Sequence, residues 1–253
     1  MSRYLVPTAV RNYLKRLLGI QFLLEQNEQL ARRVTQLENK FYGSLDELQR
    51  DSKARWKNSR PDEILTWGRQ IPGTAFVENA RGHDLFGPEK SILEIGPGYG
   101  RLLIAMQQEN VPFKDYLGVD LSANQVAYLS DKFANDRIHF LLGDAESFTP
   151  DQQFDSALSS LTFKHLFPSF KPAIDNISKY LKPGGRLCID FIEGNRRLFE
   201  ADGVTFVRHY TRAEITGILE SAGFDEVLFD QVTHTEGFTR LLALARKPAG
   251  SAD

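Results

Sequence analysis

The chain has 253 residues, 42 % of them apolar and 25 % charged, with a net charge of −2. That supplies one sizeable core and leaves room for an appendage beside one large domain. No apolar run is long enough to span a bilayer. The charge is uneven: residues 1–60 hold 12 Lys+Arg against 6 Asp+Glu, a net +6, and residues 61–253 hold 19 against 27, a net −8. An acidic larger part argues against a nucleic-acid substrate. The single cysteine, Cys188, excludes an intrachain disulfide and reads as a small buried residue. It suits a cytoplasmic chain, as does an N-terminus without the apolar core and cleavage site of a signal peptide.

Residues 3–19 carry Arg3, Arg11, Lys15 and Arg16 and no acid, with Leu14, Leu17 and Leu18 near one helical face. Such a segment either lies on an anionic membrane surface or is a solvated or packed helix. From 20 to 41 the apolar spacing alternates threes and fours. Ile20, Asn27, Val34 and Phe41 fall at heptad position a, and Leu23, Leu30 and Leu37 at d. Ile/Val at a with Leu at d favours a parallel pair, and a single Asn at a fixes its register. Arg33 at g then faces Glu38 at e of a second copy; the alternative is an amphipathic helix packed on its own domain. Residues 43–66 read as a polar helix ending near Ser59-Arg60-Pro61, because Pro61 disfavours helix before it. This predicts an N-terminal helical arm over 1–60, with a short coiled coil at 20–41, and a second domain over 61–253.

Within that domain Ser91–Arg101, SILEIGPGYGR, predicts a buried strand with Glu94 in it, then a glycine turn (Gly96, Gly98, Gly100), then a helix. Strand, glycine turn and helix is how parallel α/β sheets hold adenine-containing cofactors, since the backbone must turn sharply against the ligand. The dinucleotide spacing G-x-G-x-x-G fails at Arg101. A second strand, Tyr116–Val119, ends in Asp120, placed either to accept hydrogen bonds from ribose hydroxyls or to cap the helix that follows. A third, Ile138–Leu142, ends in Gly143-Asp144-Ala145. A fourth, Phe154–Ser160, runs into SSLTFKHL. A helix then stops at Leu181-Lys182-Pro183-Gly184-Gly185 before a fifth strand, Leu187–Ile192. Arg212–Ala222, with Gly223 as its C-cap, is a helix leading to strands at Glu226–Val232 and Arg240–Ala245.

The pattern E-x-G-x-G-x-G, the acids Asp120 and Asp144 and the L-K-P-G-G turn together resemble the class I S-adenosylmethionine-dependent methyltransferases over roughly residues 74–247. The resemblance implies an α/β fold, a Rossmann-like seven-stranded sheet with helices on both faces. It implies S-adenosyl-L-methionine as cofactor, held by Glu94, Gly96, Gly98, Gly100, Asp120, Leu121, Asp144, Ala145 and Ser159. Asp144 would meet the adenine amino group and the Ala145 N–H a ring nitrogen, although an ordinary turn acid is the other reading of Asp144. The segment before the glycine turn would close over the cofactor, making Trp67 and Phe76 candidate lid residues or core aromatics.

The acceptor then sits where strands four and five end, among residues 159–165 and 190–197, under a covering loop at 204–210. Methyl transfer mainly needs alignment, with proton removal when the acceptor is a hydroxyl. Histidine is the first candidate base. Of the five, His165 and His209 fall in substrate-facing segments, and His83, His139 and His234 read as structural. Glu193 is the remaining catalytic candidate, and Asp190 reads as a buried strand-end acid. Lys164 and Arg208 are placed to hold an anionic group such as phosphate or carboxylate. No metal-ligand spacing occurs, so transfer is expected without a metal. The N-P-P-Y type tetrapeptide of amino-group methyltransferases is replaced by Ser159-Ser160-Leu161-Thr162, which leans toward oxygen acceptors. The expectation is an enzyme that O-methylates a small molecule or glycan, paired as a homodimer through its N-terminal helix. A lipid-linked or natural-product acceptor, and a non-catalytic S-adenosylmethionine-binding scaffold, are the alternatives.

Overall fold

The computed structural model describes residues 8–17, 19–68, 71, 73–235 and 238–249. Arg3 and Leu18 lie outside the described residues, as do the side chains of Lys15, Leu17, Leu37, Glu38, Phe41, Trp67 and His234. The chain divides into two compact units, Met1–Gln49 and Arg50–Asp253.

The first unit contains α1 (Thr8–Leu17) and most of α2 (Ile20–Lys57), separated at Gly19, whose φ of 66° suits glycine. Ile20, Leu23, Leu30 and Val34, the described apolar residues at heptad positions a and d, are all exposed. No helix among the described residues is long and apolar enough to cross a membrane.

The second unit starts within α2. Its compact body begins at Arg50 rather than after Arg60, because Ser52 and Ser59 are buried in it. After α3 (Pro61–Gly68) and α4 (Thr74–Arg81) come β1 (Gly87–Ile95), α5 (Arg101–Gln108), β2 (Phe113–Asp120), α6 (Ala123–Phe133), β3 (Ile138–Leu142) and β4 (Phe154–Ser159). A single 3-10 turn, Phe163–His165, and α7 (Lys171–Tyr180) lead into β5 (Leu181–Ile192). A short ribbon, β6 (Arg197–Phe199) with β7 (Phe206–Arg208), precedes α8 (Arg212–Ser221), β8 (Asp225–Thr235) and β9 (Phe238–Arg246).

The main sheet has seven strands in the order β3-β2-β1-β4-β5-β9-β8. The strands β1 to β5 are mutually parallel, and β9 is antiparallel to β5 and β8. Parallel strands covered by helices are apolar on both sides. Ile92 and Leu93 show this, belonging to two different core clusters on the two faces of the sheet. The fold is thus the expected α/β Rossmann-like sheet. Two local readings change. The L-K-P-G-G segment is already part of β5, since Leu181 pairs with Phe154 and the register then shifts before Arg186 pairs with Ser156; Gly184, at φ 76°, allows that irregularity. Residues 204–210 are not a plain loop. Phe206 pairs with Phe199, and Asp202 organises the turn by accepting the Val204 and Thr205 N–H groups at 3.0 and 2.8 Å.

Candidate active site

The site is built at the carboxyl ends of β1, β2, β3 and β4, where open parallel sheets bind ligands. After Ile95 the backbone turns through Gly96, at φ 69°, and a Cβ there would collide with the Thr162 hydroxyl. Gly100, at φ 88°, starts α5; its Cβ would lie 3.0 Å from the Phe133 ring, so glycine also lets α5 pack on α6. Neither position tolerates a side chain.

Asp120 ends β2 beside this turn. Its Oδ2 accepts the Gly98 N–H at 3.1 Å and its Oδ1 the Ser122 N–H at 2.9 Å. The cap of α6 is Ser122, whose Oγ accepts the Gln125 N–H at 3.4 Å; Asp120 is therefore free of that duty. Burial raises the Asp120 carboxyl to about 6, against the backbone N–H groups of Ser122, Gly98 and Leu121 that favour its charge. One cavity brings together Gly96, Gly98, Asp120, Leu121, Asp144 and Ala145.

Asp144 does also act as a turn acid, accepting the Glu146 N–H at 3.0 Å. It has a partner that sequence reasoning missed. Lys53, on α2, donates from Nζ to Asp144 Oδ2 at 2.8 Å and to Glu146 Oε2 at 2.5 Å. Ser52, Lys53, Trp56 and Ser59 form a wall of the cavity. Ser59 is tied down through its carbonyl, which accepts the Ser122 hydroxyl at 2.8 Å.

Five of the expected cofactor and catalytic residues, Glu94, Gly100, Ser159, Glu193 and His209, are not part of the cavity wall. Glu94 is buried within β1, where its Oε2 accepts the Tyr116 hydroxyl at 2.6 Å. Burial raises it to about 7, with Tyr116 and Arg101 opposing. Ser159 spends its hydroxyl on the Ile95 carbonyl at 2.8 Å, tying β4 to β1; its neighbour Ser160 lines the cavity instead. Glu193 accepts Arg212 Nε at 2.9 Å near the surface. Phe76 is core, packed with Leu102 and Met106.

His165 does reach the cavity. Its Nδ1 lies 2.7 Å from the Phe206 carbonyl, which can only accept, so Nδ1 carries the proton and Nε2 a lone pair. Nε2 is buried without a hydrogen-bond partner among the described residues. The ring meets Trp56 with centroids 4.4 Å apart. Burial, then the charge of Lys164, lowers the imidazole to about 3, so it is neutral at physiological pH. His209 is also buried, with Gly194 against its ring: a Cβ on Gly194 would come within 3.2 Å of Nδ1. Burial lowers its pKa as well, as do the charges of Arg196 and Lys164. Arg208 is already committed, donating to the Pro168 carbonyl at 2.8 Å and to Glu214 Oε1 at 3.1 Å. Of the other histidines, His83 pairs with Asp230 at 2.5 Å and His139 stands exposed on β3.

Comparison with known proteins fits this geometry. A family described as "Methyltransferase domain" matches residues 93–189. The malonyl-[acyl-carrier protein] O-methyltransferase of Priestia megaterium is 33 % identical over 109 residues, 43 % of this chain and 39 % of that protein. The fatty-acid O-methyltransferase of Mycolicibacterium smegmatis is 29 % identical over 128 residues, 50 % and 44 % of the two chains. The chain thus spans well under half the length of these two relatives. Among solved structures, the 1,6-didemethyltoxoflavin-N1-methyltransferase of Burkholderia thailandensis, with S-adenosylhomocysteine bound, superposes with a TM-score of 0.65 at 22 % identity, covering 81 % of this chain and 90 % of that one; it shares the fold. With the glycine turn, the two strand-end acids and the sheet order in place, residues 93–189 match a methyltransferase domain, set in a sheet with the fold of a solved methyltransferase.

Proposed function

We propose that the chain transfers a methyl group from S-adenosyl-L-methionine to an oxygen of a small-molecule acceptor, without a metal. The observation that carries this reading is Asp120, a carboxylate held open to the cavity by two backbone N–H groups beside a turn with no room for side chains. Those features fit the nucleoside. Asp120 accepts hydrogen bonds from the ribose hydroxyls, and Asp144 with the Ala145 N–H receives the adenine edge. Lys53 then shares Asp144 with the adenine or shifts wholly to Glu146. When bound, S-adenosylmethionine supplies an electrophilic methyl group on its sulfonium.

The chain's own residues do the aligning. His165 has an unpartnered lone pair at Nε2, buried in the cavity wall; a small shift of the ring brings it to the acceptor O–H, whose hydrogen bond it then accepts, orienting the oxygen. With a pKa of about 3 the ring directs that proton and does not store it at neutral pH. Trp56 packs against the His165 ring, with centroids 4.4 Å apart, and covers that face of it. A glycan hydroxyl fits the same chemistry, while a small acceptor is favoured by the α2 wall. The exposed residues Ile20, Leu23, Asn27, Leu30 and Val34, at heptad positions a and d, support pairing of α2 with a second copy.

Mass spectrometry of a mixed library of hydroxyl, carboxyl and amine compounds, incubated with the protein and S-adenosylmethionine, tests the reading. An O-methyl product that disappears in Gly96→Val is expected. An N-methyl product alone overturns the choice of oxygen.

A further inference from the structure

Three cations converge where β4 and β5 end, and their pairing is incomplete. Arg240 on β9 is ion-paired with Asp190 on β5, and the second oxygen of Asp190 accepts the Leu161 N–H at 2.7 Å. Arg101, at the start of α5, donates to the Ile71 carbonyl at 3.1 Å and to the Ser160 hydroxyl, both neutral partners. Lys164 makes no hydrogen bond or ion pair among the described residues. Both guanidinium groups are buried and Lys164 is half-buried. Glu94 attracts Arg101, and Glu200 attracts Lys164, through space only. One carboxylate in contact therefore serves three desolvated cations.

Desolvated charge without a counter-ion is costly, and an anion seated beside it recovers part of that cost. The cluster adjoins the methyl-transfer cavity: Arg101 and Ser160 are part of its wall, and so is His165, next in sequence to Lys164. We infer that this cluster seats an oxyanion group, carboxylate or phosphate, of the methyl acceptor, with Lys164 as its specificity-determining contact and Arg101 behind it. The inference rests on the methyltransferase reading of the cavity and specifies the class of acceptor it takes. Of the two cations singled out by position in the sequence, Lys164 is available and Arg208 is not. Burial, then repulsion from Arg240 and Arg101 against the attraction of Glu200, lowers Lys164 to about 8, so an anion that binds there also holds the lysine charged.

The test uses the full chain saturated with S-adenosylhomocysteine, and calorimetric titration of matched pairs: phenylacetate against phenylacetamide, octanoate against octanamide, phenyl phosphate against phenol. A charged hydrogen bond is worth about tenfold or more in affinity. The acid of at least one pair is expected to bind about tenfold tighter than its neutral partner. That preference should vanish in Lys164→Met, which gives up no hydrogen bond or ion pair among the described residues, and return in Lys164→Arg, with affinity for S-adenosylhomocysteine equal in all three. Whether the carboxylates or the phosphate respond identifies the group. Equal affinity for acid and neutral partner in every pair overturns the inference, as does a preference that survives in Lys164→Met. Failure of the wild type to bind S-adenosylhomocysteine overturns the methyltransferase reading instead.

Discussion

Replacing Glu94 by glutamine removes a buried charge while keeping the shape and the acceptor for the Tyr116 hydroxyl. In the folded chain burial raises this carboxyl from 4.5 to about 7. At about 1.4 kcal/mol per pH unit, that displacement amounts to about 3 kcal/mol. The folded state holds the Glu94 proton more tightly than the unfolded chain, so the stability it contributes is full below about 4.5 and is lost as pH rises through about 7. Asp120, raised from 3.8 to about 6, acts in the same direction, but it is present in both proteins and cancels from their difference. Urea unfolding followed by far-ultraviolet circular dichroism at pH 5, 6, 7 and 8 reads the result. The stability of Glu94→Gln relative to wild type should improve by about 2–3 kcal/mol between pH 5 and 8. Parallel stability curves would refute the assignment of a buried, reluctant carboxylate to the heart of β1.

Asp120 predicts a pH effect on the ligand. Ribose hydroxyls donate best to the ionised carboxylate, so affinity for S-adenosylhomocysteine should weaken as pH falls through about 6, and a flat calorimetric profile from pH 5 to 8 counts against the ribose role. Gly100→Ala puts a Cβ at φ 88° and 3.0 Å from the Phe133 ring, and should cost about 1–3 kcal/mol in urea unfolding; an unchanged midpoint contradicts the packing of α5 on α6. Chains starting at residue 50 and at residue 61 separate the wall of the cavity from the exposed helix. The first should bind S-adenosylhomocysteine like the full chain but sediment as a monomer, whereas the second should bind markedly more weakly, having lost Lys53 and Trp56.

What could be read from sequence was local. The turn at Gly96, Gly98 and Gly100, Asp120 at the end of β2 and Asp144 at the end of β3 are each specified by a strand-turn-helix stretch of a few residues, and the sheet follows from apolar runs of parallel-strand type. What escaped was long-range. Lys53 meets Asp144 and Glu146 across 91 and 93 positions, and nothing in the polar stretch of α2 marks it as a wall of a cavity; the boundary near Pro61 followed a real helix end but not the packing. Glu193 and Arg208 had suitable chemistry at suitable strand ends, and α8 absorbed both, through Arg212 and Glu214. Ser159 and Ser160 are interchangeable in sequence. Strand alternation decides between them, sending Ser159 to the Ile95 carbonyl and Ser160 to the cavity. Asp190 was legible as a buried strand-end acid, but its partner Arg240 sits fifty residues on.

The most direct test is calorimetric titration of S-adenosylhomocysteine into the wild type and into Asp120→Ala. Saturable binding to the wild type is expected, weakened in the variant by about 1.5–3 kcal/mol, the range for a lost charged hydrogen bond, with the fold intact by circular dichroism. Equal binding by the two proteins would contradict the role of Asp120, and no binding to the wild type would contradict the methyltransferase function itself.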